Sequence, residues 1–199
     1  MLSYLISIVD WSPLHALIPL VIVQRIMELR VAKRNERLAR SRGAIESGAG
    51  HYMAIVALHV LWFIGMIVEI VVLTRHISPF WPAFLLVFLL AQGLRYWAIR
   101  SLGVWWNTRI LVLPGSFAVK SGPYRYMKHP NYVAVIIELF ILPAMYGAYL
   151  TAITTSLING MLLRIRIREE EAALRKFTKN YDNVEAQRSG KSTGRSQKH

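Results

Sequence analysis

Apolar residues along this chain are grouped in long blocks instead of recurring with a helical or strand period. The five blocks are residues 14–27, 52–73, 80–99, 132–146 and 150–163. The second and third are each about 20 residues long, the length that an α-helix needs to cross a bilayer. The fourth and fifth are shorter, and because Pro143 lies near the end of the fourth and Gly147 follows it they predict a helical hairpin. The pattern therefore predicts an all-α integral membrane protein with five transmembrane helices.

The composition fits this prediction and excludes several kinds of site. Of the 199 residues, 54% are apolar, and the mean hydropathy is +0.36. The chain has no cysteine, which excludes disulfides, thiolate metal sites and cysteine nucleophiles. Its 6 histidines are scattered without the spacing of metal ligands, so no metal site is expected. Positive charges follow the first apolar block instead of preceding it, so no cleavable signal peptide is predicted.

The formal net charge of +13 is unevenly distributed. Of the 24 Lys and Arg residues, six lie in residues 30–42, five in 100–128 and ten in 164–199. The loops after the second and fourth blocks contain one Lys or Arg residue between them, Arg75. With five spans, the basic segments all fall on one side, so the positive-inside rule predicts an external N-terminus and a cytoplasmic C-terminus. The basic excess then serves topology and contacts with anionic membrane lipid, and nucleic acid is not an expected partner.

Three polar segments lie between or after these blocks. Residues 28–50 are predicted to form a basic cytoplasmic loop, and residues 184–199 a disordered basic tail. Residues 101–129 form a long cytoplasmic connection, which in a compact protein is typically functional. Within it, residues 110–113 fit either a strand or an interfacial segment. The chain has no Gly-x-Gly-x-x-Gly and no Walker sequence, so a nucleotide-like cofactor would not be held by a Rossmann or P-loop device.

Two polar clusters flank the predicted hairpin. Residues 122–132 have the sequence GPYRYMKHPNY, and residues 164–171 have the sequence RIRIREEE. Pro130 suits the first turn of a helix, because its missing N–H costs nothing there. Arg166 and Glu170 are four residues apart on the last helix and so share a face. They fit either a salt bridge that anchors the helix end or a site where the arginine faces an anionic group and the glutamate a cationic one.

Other residues of the clusters also fit a structural role. His129 has the position of a helix-start histidine at the membrane interface, and the tyrosines and tryptophans nearby fit an aromatic belt. Glu138 lies about two turns below Pro130, where a charged group costs about 2.5–3.5 kcal/mol, so it must be paired, protonated or hydrated. Glu69, near the outer end of the second block, is expected to reach the membrane interface with its carboxylate.

The ordered combination of these motifs resembles the isoprenylcysteine carboxyl methyltransferase family of integral membrane enzymes. It consists of Gly-Pro-Tyr, a short spacer, His-Pro-Asn-Tyr, an apolar hairpin, and Arg-x-x-x-Glu followed by Leu174. The resemblance covers about residues 95–183. It implies one membrane methyltransferase domain over residues 1–183, with its catalytic core at about 95–183.

The resemblance also implies a cofactor and a set of site residues. The cofactor is S-adenosyl-L-methionine, with S-adenosyl-L-homocysteine as product, in a cytoplasmic pocket formed by the loop and the last two helices. The implied cofactor contacts are Ser116, Phe117, Ala118, Val119, Tyr124, His129, Pro130, Asn131, Tyr132 and Glu170. Arg166 corresponds to the contact with the substrate carboxylate, and Arg109 is also expected near the cofactor.

The implied reaction is methyl transfer to an oxygen of a lipophilic small molecule or of a prenylated cysteine. Lipid-like polyketides such as alkylpyrones or alkylresorcinols fit the acceptor class as well. A carboxylate acceptor needs no base at pH 7, whereas a phenol or enol would use one, for which His129 and Glu138 are candidates. The alternatives are a phospholipid N-methyltransferase, an enzyme similar to the membrane sterol reductases, and a membrane anchor without enzymatic activity.

Overall fold

The computed structural model of this protein describes residues 13–188 and is 76% helical. Its helices and strands, in chain order, are α1 (Leu17–Ser41), β1 (Ile45–Ser47), α2 (Tyr52–Val72), α3 (Trp81–Leu102), β2 (Ile110–Val112), α4 (Pro130–Met145), α5 (Tyr149–Phe177) and α6 (Tyr181–Arg188). Short 3-10 turns lie at Pro13–Ala16, Ala49–His51, Gly103–Trp105 and Gly122–Arg125. Each of the five apolar blocks overlaps one of the helices α1 to α5, so the helical prediction is confirmed for all five.

Two helices in the described part of the chain are long and apolar enough to cross a membrane. Ala49–Val72 has a mean hydropathy of 2.5 and Trp81–Trp105 one of 1.5. Large apolar side chains on both helices are exposed, among them Leu61 and Leu90. Exposed apolar surface of this extent on spanning-length helices fits a lipid environment. Helix α4 is also apolar but shorter, at 16 residues.

The basic segment after the first apolar block is helical, so the prediction of a loop over residues 28–50 is wrong for most of its length. Helix α1 continues to Ser41, because no proline or glycine interrupts residues 20–42 and Arg, Lys, Glu, Leu and Ala favour helix. The chain leaves the helix at Gly43, whose φ of +84° is the left-handed conformation that favours glycine.

Strands β1 and β2 form a small antiparallel sheet, with Ile45 opposite Val112 and Ser47 opposite Ile110. Residues 110–112 are therefore a strand, and the all-α prediction needs correction by this one strand pair. Ile110 and Val112 are buried against Ala173 of α5, so the sheet packs on the last long helix. The sheet forms one wall of the site described below.

The turns that follow α2 and α4 lie side by side at one end of the bundle. The Ser78 N–H donates a hydrogen bond to the Met145 carbonyl at 3.0 Å. Gly147 has a φ of +71°, and a Cβ there would lie 2.6 Å from the His76 carbonyl oxygen, so the close approach of the two turns requires glycine. The main hydrophobic core, which includes Trp62, lies next to these turns.

Glu69 of α2 is only 5% exposed, so its carboxylate is held within the protein in a structural role. Its carboxylate accepts hydrogen bonds from the Leu150 N–H at 3.2 Å and from the Thr151 N–H and hydroxyl, both at 2.8 Å. The first N–H groups of a helix have no partner within it and carry partial positive charge. Glu69 therefore caps α5 from a neighbouring helix.

The C-terminal boundary also needs correction. Helix α6 passes residue 183 and includes residues 184–188, with Val184 buried, so this part of the predicted tail is ordered. Its order comes from packing and ion pairs with distant residues, which the local composition does not show. Residues 189–199 of the predicted tail, and the first 12 residues of the predicted domain, lie outside the described part.

Candidate active site

A cavity of about 420 Å³ lies beside the sheet, between the α3–α4 connection, the start of α4 and the last turns of α5. Nine of the eleven residues predicted for the site line it: Ser116, Phe117, Ala118, Val119, Tyr124, His129, Tyr132, Arg166 and Glu170. Arg109 lines it as well. Pro130 and Asn131 do not: Pro130 is fully buried at the start of α4, and Asn131 is the next residue of that helix. The fold thus brings together two clusters that are about 40 residues apart in the sequence.

The Tyr132 hydroxyl lies between Arg166 and Glu170. It donates a hydrogen bond to Glu170 Oε2 at 2.5 Å and accepts one from Arg166 Nε at 2.7 Å. A second Arg166 nitrogen donates to the Thr108 carbonyl at 2.6 Å. Within residues 13–188 no ion pair joins Arg166 directly to Glu170, so the possible intrahelical salt bridge is replaced by this bridge through α4.

The positive charge of the Arg166 guanidinium is not balanced by its hydrogen-bond partners. Its residue is only 7% exposed, yet its two partners, a hydroxyl and a carbonyl, carry no formal charge. A guanidinium has five N–H donors, and a buried cation is costly without an anion. Arg166 is therefore well placed to bind an anionic group in the cavity.

His129 packs beside the same tyrosine. Its ring stacks on Tyr132 with centroids 5.2 Å apart and an angle of 18° between the planes. Its Nδ1 lies 3.7 Å from Glu170 Oε2, and its Nε2 lies 3.3 Å from Glu171 Oε1. The backbone of His129 is not helical, because a residue before proline is excluded from the helical region, and α4 begins at Pro130 as predicted.

The loop over residues 116–119 is held by the chain that follows α5. The Ala118 N–H donates to Asn180 Oδ1 at 2.7 Å, and the Lys179 N–H donates to the Ser116 carbonyl at 3.1 Å. These two segments are about 60 residues apart, so no local pattern predicted the contact. Residues 116–119 line the cavity, as do Thr178 and Tyr181 of the chain after α5.

Tyr124 lies on the wall near Glu170 and keeps its proton at neutral pH. Burial raises the pKa of the Tyr124 hydroxyl well above its ordinary value, and the negative charge of Glu170 raises it further. The neutral phenol can both donate and accept a hydrogen bond. It therefore adds an uncharged polar group to the wall near the Glu170 carboxylate.

Arg109 is positioned by the N-terminal half of the chain. Its guanidinium lies over the Tyr52 ring, 4.0 Å from the centroid, and one nitrogen is 2.6 Å from Glu46 Oε1. Burial alone would raise the pKa of the Glu46 carboxyl, but hydrogen bonds from Arg40 and Arg109 outweigh burial and lower it. Sequence reasoning missed Glu46 and Tyr52, and no spacing in the chain could have shown them.

Other residues on the wall were also missed as site residues. They are Leu102, Trp105, Asn107, Leu113, Lys128, Leu174, Thr178 and Tyr181, together with the residues of β2. The long connection over residues 101–129 gave a signal for the first five, because its length predicted a function. The residues after 176 gave none.

Glu138 is paired, which is one of the three states predicted for it. Its two carboxylate oxygens each accept a hydrogen bond at 2.5 Å, one from Arg25 and one from Arg95. It does not line the cavity, so it is not placed to act as a base there.

Comparison with known proteins agrees with these features. The model of the isoprenylcysteine carboxyl methyltransferase (ICMT) family matches residues 84–176, which include most of the cavity wall. The uncharacterized protein YpbQ of Bacillus subtilis (strain 168) is 45% identical over 162 residues, which are 81% of this chain and 96% of that protein. An uncharacterized protein of Haemophilus influenzae is 26% identical over 155 residues, which are 77% of this chain and 90% of that protein. The chain belongs to the isoprenylcysteine carboxyl methyltransferase family, a family of integral membrane methyltransferases.

Proposed function

We propose that this protein transfers a methyl group from S-adenosyl-L-methionine to an oxygen of a lipophilic acceptor. The observation that carries the proposal is the Tyr132 hydroxyl, which links a buried cation, Arg166, to a carboxylate, Glu170, on the wall of one cavity. Family membership supports the reaction class. When bound, the cofactor supplies a methyl group on a positively charged sulfonium.

The residues on the wall fit this cofactor. S-adenosylmethionine carries an ammonium, a carboxylate and a sulfonium, so its site needs both signs of charge, and Glu170 and Arg166 offer them. A cavity of about 420 Å³ is within the usual range for small-molecule sites. Asn107 Oδ1 and the Tyr181 hydroxyl are buried on the wall with no hydrogen-bond partner in residues 13–188. Unpartnered buried polar atoms fit a site that a polar ligand completes.

We assign the cofactor to the part of the wall formed by residues 116–119, Tyr124, His129, Tyr132 and Glu170. Pro130 and Asn131 support that part, because they begin α4 and fix the positions of the two residues that flank them. Lys128 also lines the cavity, and its amino group is bound to Glu185 and lies 3.6 Å from Glu171. Its charge is therefore largely compensated, as is that of Arg109 by Glu46, so Arg166 is the cation open to a ligand among the described residues on the wall.

We assign the acceptor to Arg166. A carboxylate acceptor is ionised at neutral pH, and the guanidinium would hold and orient it without removing a proton. Alignment of two bound reactants lowers a barrier by up to about 7–11 kcal/mol in favourable intramolecular cases, so no covalent enzyme intermediate is needed. For a phenol or enol acceptor, His129 would take the proton at a ring nitrogen.

A labelling experiment tests the proposed reaction and identifies the acceptor. The purified protein in detergent is incubated with S-adenosylmethionine labelled in the methyl group and with a lipid extract, and the labelled products are separated. We expect label in a lipophilic product, released by mild alkali if it is a methyl ester and retained if it is a phenol or enol ether. Label on a phospholipid amine would overturn O-methylation. Absence of both labelled product and S-adenosylhomocysteine binding would overturn the methyltransferase proposal.

We also propose that the cavity is on the cytoplasmic side. Two observations support this: the turns with a single basic residue, Arg75, lie together at one end of the bundle, and the cavity lies among the basic segments. Reporter fusions after residues 43, 120 and 180 should be cytoplasmic, and those after residues 76 and 147 external. A cytoplasmic signal at residue 76 would contradict the five-span arrangement.

A further inference from the structure

We infer that Tyr181 is a further cofactor-binding residue, on a segment that closes the cavity after the end of α5. The inference rests on the proposed function, because its ligand is the proposed cofactor. We call residues 178–188 the strap. The family model ends at residue 176, so the match assigns no role to this segment.

Tyr181 lies at the cavity, and its buried hydroxyl could form a hydrogen bond with a ligand there. It lines the cavity and is only 5% exposed. Its hydroxyl is buried and has no hydrogen-bond partner within residues 13–188. Buried tyrosine hydroxyls normally find a partner, because an unpaired one loses its hydrogen bonds to water without replacement. A polar ligand in the cavity would supply that partner.

The strap is fixed to the cofactor side of the cavity. Asn180, next to Tyr181, accepts the Ala118 N–H at 2.7 Å. Glu185, one turn further on, is bound to Lys128 and to Arg175, the latter at 3.3 Å. These contacts hold Tyr181 against residues 116–119, which are already assigned to the cofactor.

The hydroxyl is available as a donor at neutral pH. Burial raises the pKa of Tyr181, and the carboxylates of Glu171 and Glu185 raise it further, while Arg175 acts in the opposite direction. Glu170 also lies close enough to raise it. The phenol is thus neutral, and it can donate to an acceptor atom of the cofactor or accept from its ammonium or hydroxyl groups.

A purely structural role would have a different signature. If the hydroxyl stabilised the ligand-free protein, its removal would lower the melting temperature. If it is a ligand contact, Tyr181→Phe keeps the ring, removes an unpartnered group and leaves the ligand-free melting temperature equal or higher. The melting temperature of the ligand-free variant therefore distinguishes the two roles.

The test compares Tyr181→Phe with Tyr126→Phe in the full-length purified protein. Tyr126 is a suitable control because it is 74% exposed and does not line the cavity. S-adenosylhomocysteine affinity is measured by calorimetry, and ligand-free melting temperature is measured alongside. We expect Tyr181→Phe to lower the affinity about threefold to tenfold, as loss of one hydrogen bond does, without lowering the melting temperature. Tyr126→Phe should change neither.

Three results would overturn the inference. Unchanged affinity in Tyr181→Phe, while the parent binds, would remove Tyr181 from the site and leave the proposed function intact. A lowered ligand-free melting temperature that accounts for the lost affinity would make the role structural. If the parent itself does not bind S-adenosylhomocysteine, the proposed cofactor and this inference fall together.

A second variant tests the strap. Asn180→Ala removes the hydrogen bond to Ala118 and leaves the tyrosine intact. We expect a faster release of S-adenosylhomocysteine and a smaller loss of affinity than in Tyr181→Phe. Unchanged release would show that this contact does not hold the strap in place over the ligand.

Discussion

Two groups of charged residues lie among the apolar helices of this protein, and they differ in how far they satisfy each other. The first, which we call the buried ionic cluster, consists of Arg25, Glu28, Arg95 and Glu138. The second, the cavity cluster, consists of Tyr132, Arg166 and Glu170. Both place charges where water is scarce, so each must be compensated by a partner.

The buried ionic cluster compensates itself. Two arginines face two carboxylates, and both oxygens of Glu138 are used, each at 2.5 Å. Glu28 is bound to Arg25 and lies 3.4 Å from Arg95. The cluster joins α1 to α3 and α4 through side chains and does not line the cavity. Its role is to hold helices together.

The cavity cluster is not closed in this way. Arg166 contacts two uncharged oxygens, and Glu170 accepts its hydrogen bond from a phenol. Within residues 13–188, Arg166 therefore has no ion pair with a carboxylate, and Glu170 has a basic neighbour only in the His129 ring, whose Nδ1 is 3.7 Å from its Oε2. The type of residue therefore does not separate structural from functional charges in this protein, whereas the presence or absence of a charged partner does.

Disrupting the buried ionic cluster should have the largest effect on stability. Glu138→Gln leaves two arginines facing a single carboxylate, that of Glu28, and breaking a buried ion pair by removing one partner typically costs about 3–5 kcal/mol. We expect a large fall in the free energy of unfolding in detergent, with S-adenosylhomocysteine still stabilising the protein that remains folded. Near-parent stability would show that this cluster does not hold α1 to α3 and α4.

Arg166→Ala should reduce turnover more than cofactor affinity. Loss of a charge-assisted contact with the acceptor is worth about 1.5–3 kcal/mol, or roughly tenfold to a hundredfold in kcat/KM. Arg164→Ala is the matched control, since that side chain is exposed on the same helix. If S-adenosylhomocysteine affinity falls as much as activity, Arg166 belongs to the cofactor part of the cavity and the division of roles is wrong.

Glu170→Gln should weaken S-adenosylhomocysteine binding by about 1–3 kcal/mol with little change in stability. The glutamine keeps the shape of the side chain and removes its charge. Glu169→Gln, one residue earlier and exposed, should bind like the parent. Equal calorimetric affinities for the parent and Glu170→Gln would remove this glutamate from the cofactor site.

His129→Ala and Asn131→Ala sharpen the boundary of the site. Ligand stabilises a protein in proportion to its occupancy, so a lost contact reduces the thermal shift on adding S-adenosylhomocysteine. His129 lines the cavity and should lose most of that shift, whereas Asn131, which does not line it, should lose less. Lower ligand-free stability with an intact shift would make both residues membrane-interface anchors.

The smallest effect is expected at Glu46, and it depends on pH. Its pKa is below the ordinary value of 4.5, so its stabilising effect is fully present above that value and is lost as the pH falls through the lower, folded-state pKa. Glu46→Gln should therefore lose less stability on acidification from about pH 6 than the parent, by up to about 1 kcal/mol. Parallel pH profiles would show that this carboxylate does not couple to folding.

Much of the helical arrangement could be predicted, and the errors have physical causes. Charges in residues 28–42 predicted a loop, although helix formation depends on propensity and breakers, and there were no breakers before Gly43. The capping of α5 by Glu69 was not predicted, because its partners, Leu150 and Thr151, are about 80 residues away. Strand β2 remained undecided because a strand of 3 residues forms only with its partner.

The sequence by itself determined the apolar blocks, the hairpin and the two motif clusters, because these depend on residues that are close in the chain. It also indicated the protein family, because the family's motifs occur in this chain in the same order. Only the tertiary structure decided that Tyr132 bridges Arg166 and Glu170, that Glu138 is closed by two arginines, and that Tyr181 faces the cavity. Those facts depend on packing between helices that are distant in the sequence, and no local pattern of residue types encodes such contacts.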